Sequence, residues 1–100
     1  MIWSGYYLES KSYRNPFNAG TMIRFQVPQT SQGEIQVSIS LYDLQGRLIR
    51  TLVQGAYPAG IHQVLWNGRA ENDRAVASGV YIYQMRAGDF VAHKRMVLLK

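Results

Sequence analysis

The sequence predicts an all-β fold, two layers of short antiparallel strands. Three observations predict it. Apolar side chains recur with period two in four separate segments. Gly, Pro, Asn and Asp punctuate those segments at short spacing. No segment shows the i, i+3, i+4 recurrence of an amphipathic helix. Period two puts successive side chains on opposite faces of a strand, so one face can be buried while the other meets water.

The elements follow in chain order. The opening "MIWSGYYLES" has neither the basic start nor the long apolar stretch of a secretory signal peptide. Residues 1–12 are expected to form a leading segment or linker, ahead of a domain spanning 13–100. In "NPFN", Pro16 drives Asn15 away from helical dihedrals and gives the next strand a defined direction. Phe17 is expected to plug one end of the sandwich, and Asn18 completes the turn. "TMIRFQVP" then alternates, with Ile23, Phe25 and Val27 on one face and Arg24 and Gln26 on the other. Pro28 ends that strand, and "QTSQGE" follows as a polar loop.

"EIQVSISLYDL" places Ile35, Val37, Ile39 and Leu41 on one face. The turn "YDLQGR" offers the Asp43 carboxylate to turn amides and Gly46 for positive φ. "YPAG" supplies Pro58 and Gly60 to a second turn. "GIHQVLWNG" puts His62, Val64 and Trp66 together, with Trp66 large enough to reach from one layer to the other. Gly79 precedes "VYIYQM" and is expected to supply backbone freedom there. Tyr81, Tyr83 and Met85 then share a face. "RAGDF" fits a tight hairpin through Gly88. In the last segment, Met96 to Leu99 are apolar on both faces. Such a run is expected to be central or covered on both sides. Lys94, Arg95 and Lys100 flank it and are expected to stay solvated. About seven short, evenly punctuated strands indicate an Ig-like antiparallel β-sandwich.

Composition narrows the function. One hundred residues, 47% of them hydrophobic, suffice for one core and exceed what a disordered chain contains. No apolar run approaches the ~20 residues of a membrane-spanning helix. The chain has no cysteine, so it holds no disulfide or thiolate metal site. Its net charge of +5 invites a nucleic-acid interpretation. The distribution argues against it. Arg14, Arg24, Arg47, Arg50, Arg69, Arg74 and Arg86 stand singly, and only Lys94 and Arg95 are adjacent. Scattered solvated charge fits better, and no nucleic-acid partner is expected.

Site chemistry is sparse. His62 and His93 are far apart, with no third ligand at metal-site spacing. No nucleophile-elbow pattern accompanies the serines. "NGRAENDR" offers Asn67, Glu71, Asn72 and Asp73 as oxygen ligands but lacks the order of a calcium loop. It fits an interstrand turn better. Trp66, Tyr81 and Tyr83 could stack on a sugar or pack in the core. Their place in alternating strands favours the core. The expectation is a non-catalytic domain with no cofactor and no metal.

From about Tyr13 to Lys100, the chain resembles the C-terminal Ig-like sorting domain of type IX secretion (type A). It is similar, too, to the Ig-like domain of flagellar hook-capping proteins. The stretches that carry the resemblance are "NPFN", "TMIRFQVP", "VSISLYDLQGRLIRTLV", "PAGIHQVLWNGR", "VASGVYIYQMRAGDF" and "KRMVLLK". Their order and spacing are specific together, and each alone is weak. Ala19 stands where the family often has Pro, Asn67 where it often has Asp, and Asp73 where it often has Gly. The structural motif falls on Asn15, Pro16, Phe17, Asn18, Gly46, Trp66, Gly79 and Tyr81.

The resemblance implies placement at the C-terminus of a larger exported enzyme or adhesin, and "MVLLK" suits such a terminus. It implies a secreted or cell-surface location reached through the periplasm. The expected partners are the outer-membrane secretion machinery or a cell-surface component, with the parent enzyme in cis. The domain would act as secretion address or attachment module. Its recognition candidates are Lys94, Arg95, Met96, Val97, Leu98, Leu99 and Lys100. The alternatives are a hook-capping structural domain, or a spacer or carbohydrate-binding module beside a glycoside hydrolase.

Overall fold

A computed structural model of the chain describes residues 5–14, 19–31 and 33–99. Seven strands dominate: β1 (Tyr7–Arg14), β2 (Ala19–Val27), β3 (Ile35–Tyr42), β4 (Leu48–Tyr57), β5 (Gly60–Trp66), β6 (Gly79–Ala87) and β7 (Phe90–Leu98). They form a three-stranded sheet ordered β1-β2-β5 and a four-stranded sheet ordered β4-β3-β6-β7. Every pairing is antiparallel, and there is no helix among the described residues. The fold is an Ig-like β-sandwich.

The alternating segments supply its core. Ile23, Phe25 and Val27 of β2 face Val37, Ile39 and Leu41 of β3 and Tyr83 and Met85 of β6, all buried. A fully buried Leu, Ile or Phe contributes about 1.5–3 kcal/mol, so this interior is the main stabilising term. β4 lacks clean alternation because its register against β3 shifts between Ile39 and Ser40 and again between Leu41 and Tyr42. A β-bulge of this kind adds a residue on one strand and breaks the period-two pattern.

Two expectations are corrected. Residues 7–12 are not a leading segment. They lie in β1, paired with β2 from Tyr7↔Gln26 onward, and Leu8 is buried. The run Met96–Leu99 is neither central nor covered on both sides. β7 is an edge strand, with Met96 and Leu98 in the core and Val97 and Leu99 exposed. Apolar residues on the outer side of a strand reflect β-propensity as well as burial.

The turns follow their residues. The Asp43 carboxylate accepts the Gln45 and Arg47 amides, each at 2.9 Å, and Gly46 sits at φ 86°. Ala87 pairs with Phe90, and between them Gly88 takes φ 58° while Asp89 does not go positive. Those signs match a type II′ hairpin turn. Pro58 and Ala59 carry the chain from β4 to β5, from one sheet to the other. Phe25, Tyr57 and His62 close that corner, with ring centroids 5.0 to 5.3 Å apart.

Candidate functional site

Trp66 and Tyr81 bring the two sheets together. Trp66 is fully buried, and its ring meets Tyr81 edge-on at 5.2 Å. Its indole Nε1 donates to the Arg69 carbonyl at 2.9 Å, and Tyr81 Oη donates to the Ala77 carbonyl at 2.6 Å. Burial pushes the phenols of Tyr81 and Tyr83 above their ordinary range. With Trp66, Tyr81 and Tyr83 all inside, these rings form no sugar-stacking platform. Gly79 opens β6 at φ 159°, a backbone conformation that residues with a side chain rarely adopt, so the glycine supplies backbone freedom there even though the space around a prospective Cβ is open. Asn15, Pro16, Phe17, Asn18 and Lys100 lie outside the described residues.

The "NGRAENDR" segment is an interstrand turn, and it is folded onto β4. The Glu71 amide donates to the Ile49 carbonyl at 2.9 Å, and the Glu71 carboxylate accepts the Thr51 amide at 3.2 Å. Arg50 Nη1 donates to the Ala70 carbonyl at 3.0 Å. Asp73 holds φ 66°, the left-handed conformation that glycine adopts most easily. Two of the segment's oxygen-bearing side chains serve the turn, the Glu71 carboxylate and Asn72 Oδ1, which accepts the Arg74 amide at 3.0 Å. Among the described residues no three His, Cys, Asp or Glu converge as metal ligands. His62 and His93 sit on different sheets, and the His62 ring is engaged with the Pro58 carbonyl at 2.8 Å.

The recognition candidates on β7 divide by alternation. Met96 and Leu98 belong to the core, so they serve the fold. Arg95, Val97 and Leu99 are exposed on the outer side. Lys94 is exposed as well, but its ammonium is engaged. Its ammonium crosses to the other sheet, donates to the Leu8 carbonyl and lies 5.7 Å from the Tyr7 ring centroid. Only pairing across the sandwich reveals this contact, because Leu8 is 86 positions away in sequence.

The FlgD Ig-like domain family matches residues 10–89. The chain belongs to this family. No curated protein matches it. The FlgD Ig-like match begins inside β1 and ends at the β6–β7 turn, so β7 lies beyond it. Even so, β7 completes the fold by burying Met96 and Leu98.

Individual residues conceal one feature of this FlgD Ig-like domain. None of the four strands in the larger sheet contains Asp or Glu. The chain has six acidic residues, and Glu34, Asp43, Glu71, Asp73 and Asp89 lie in loops while Glu9 lies in β1. Three of them are engaged locally. Glu9 pairs with Arg24, Asp43 with Arg47 and Glu71 with the Thr51 amide. The Arg47 amide, the first of several hydrogen bonds, holds the Asp43 carboxyl below its ordinary range. Arg86 and Arg95, exposed on the larger sheet, pair with no carboxylate among the described residues.

Proposed function

We propose that this domain is a non-catalytic docking module, carried by a larger exported bacterial protein, which holds its parent in an assembly at the cell surface. The family match over residues 10–89 carries this reading, because it relates the chain to the structural Ig-like domain of hook-capping proteins. Fold alone does not give function, so the weight rests on the family and on which surfaces stay open. The test deletes residues 5–100 from the parent. Its own activity in lysate should persist while its retention at the cell surface is lost. Retention without the domain would overturn the docking reading.

A second reading, the secretion address, draws on one observation. β7 is an edge strand whose Arg95, Val97 and Leu99 remain exposed after Met96 and Leu98 enter the core. An exposed strand edge can be recognised by strand addition. The domain is fused to a signal-peptide-bearing reporter in a bacterium with type IX secretion. Arrival in the medium or on the surface supports an address. Accumulation in the periplasm removes it and leaves the docking module.

A further inference from the structure

We propose that the outer face of the four-stranded sheet docks an acidic, partly apolar protein surface. This inference rests on the docking reading and names the chemistry of the partner. Two kinds of exposed group alternate there. Arg86 and Arg95 supply charge, and Val80, Val91, Val97 and Leu99 are 38%, 48%, 42% and 48% exposed. Register places them on one face, through Val80↔Val97, Ile82↔Arg95 and Arg86↔Val91. Arg86 lies four residues beyond Ile82, so the two guanidinium-bearing positions are about 14 Å apart by strand geometry.

Charge selects the partner. The face carries no carboxylate of its own, so an approaching acid meets attraction without competition from its own strands. A second copy of the chain is disfavoured because each carries a net charge of +5. A nucleic-acid strand places one phosphate every ~3.4 Å and gains much of its affinity from many such contacts. Two arginines about 14 Å apart match that spacing poorly. Gln84 and His93 stand between them, and Val80, Ile82, Val91 and Val97 flank them, so branched aliphatics outnumber the rings on which bases stack. Aliphatic groups beside cations fit a protein surface on which carboxylates neighbour apolar side chains.

The test titrates the ¹⁵N-labelled chain with a synthetic peptide alternating Glu and Val. Its controls are the same peptide with Gln for Glu and an oligothymidylate of equal length. Amide shifts should gather at Val80, Arg86, Val91, Arg95 and Val97. The variant Arg86→Gln/Arg95→Gln should bind the acidic peptide at least tenfold more weakly with unchanged melting. Lys11→Gln/Arg24→Gln, on the smaller sheet, should bind within twofold of wild type. Shifts centred on β1, β2 and β5, equal affinity for the neutral peptide, tighter binding of the oligonucleotide, or no binding would each overturn the proposal. In the parent protein, loss of surface retention on deleting the domain, with full retention in the Arg86→Gln/Arg95→Gln variant, would leave the docking reading standing and remove this surface from it.

Discussion

β4 and β7 are the two edges of the same sheet, and they are protected by different means. Beside β4 lies a loop, whose Glu71 amide and carboxylate bond to Ile49 and Thr51. These contacts occupy two main-chain groups near the start of β4, the Ile49 carbonyl and the Thr51 amide, that another strand would use. At β7 single side chains span the gap to the smaller sheet. Thr21 Oγ1 donates to the Val97 carbonyl at 3.3 Å, and the Lys94 ammonium reaches Leu8. An unpaired edge is a template for further pairing. Covering an edge with backbone closes it, while tying it with side chains fixes its position and leaves its outer face open.

The largest effect is expected at Trp66. The indole fills the core and also donates to Arg69, at the start of the loop that covers β4. Trp66→Ala should lower stability by about 3–5 kcal/mol, measured by denaturant unfolding. Hydrogen exchange at the Thr51 amide should accelerate beyond that global loss. Persistent protection of Thr51 would show that the loop does not depend on Trp66.

Variants that remove single contacts separate the two edges. Lys94→Met keeps the aliphatic stem and removes the donor to Leu8, with an expected cost of about 1–2 kcal/mol. Glu71→Ala should cost about 1 kcal/mol and raise exchange at Thr51 without changing β7. Arg95→Gln, with no partner to lose, should stay within ~1 kcal/mol of wild type. Equal melting of the Lys94 and Arg95 variants would remove the distinction between the two neighbours.

A smaller effect, of opposite sign, is expected inside the loop. Asp73→Gly relieves the cost of positive φ and should stabilise by about 0.5 kcal/mol, visible as a melting rise of a few degrees. A lower melting temperature would mean that the Asp73 side chain contributes more than its backbone costs.

Smallest is the acid response of the turn that leads into β4. The Asp43 carboxyl is held below its ordinary value of 3.8, first by the Arg47 amide. The unfolded chain therefore takes up this proton at higher pH than the folded one. The stabilisation is complete above the ordinary value and is lost as pH falls through the folded value. Urea midpoints of wild type and Asp43→Asn should differ at pH 5 and converge toward pH 2. A constant gap would assign the effect to geometry rather than charge.

The fold was legible where alternation was clean. Ile35 to Leu41 and Tyr81 to Met85 announced their buried faces directly. β1 was not legible, because its inward register carries Leu8 and then Ser10, too little apolar signal to mark a strand. β7 misled in the other direction, because Val97 and Leu99 are apolar yet face outward. The Asp43 turn could be read because its partners lie within four residues. Lys94 could not, because its acceptor comes from the other end of the chain. The acid-free sheet was present in the sequence, but charges had to be sorted by strand before it emerged.

Directionality of the strands has a mechanical consequence. β1 and β7 run the same way, since each is linked to the β4–β5 reversal through antiparallel pairings. Tyr7 therefore starts β1 at one end of the sandwich, and Leu98 finishes β7 at the other. Tension applied between those two residues pulls along the strands. It loads the β1–β2 and β6–β7 ladders in shear, so that many hydrogen bonds resist together instead of opening one after another. Rupture under such a load is governed by the unfolding rate rather than by equilibrium stability. A domain strung this way can act as a tether that transmits force between whatever is joined at its two ends.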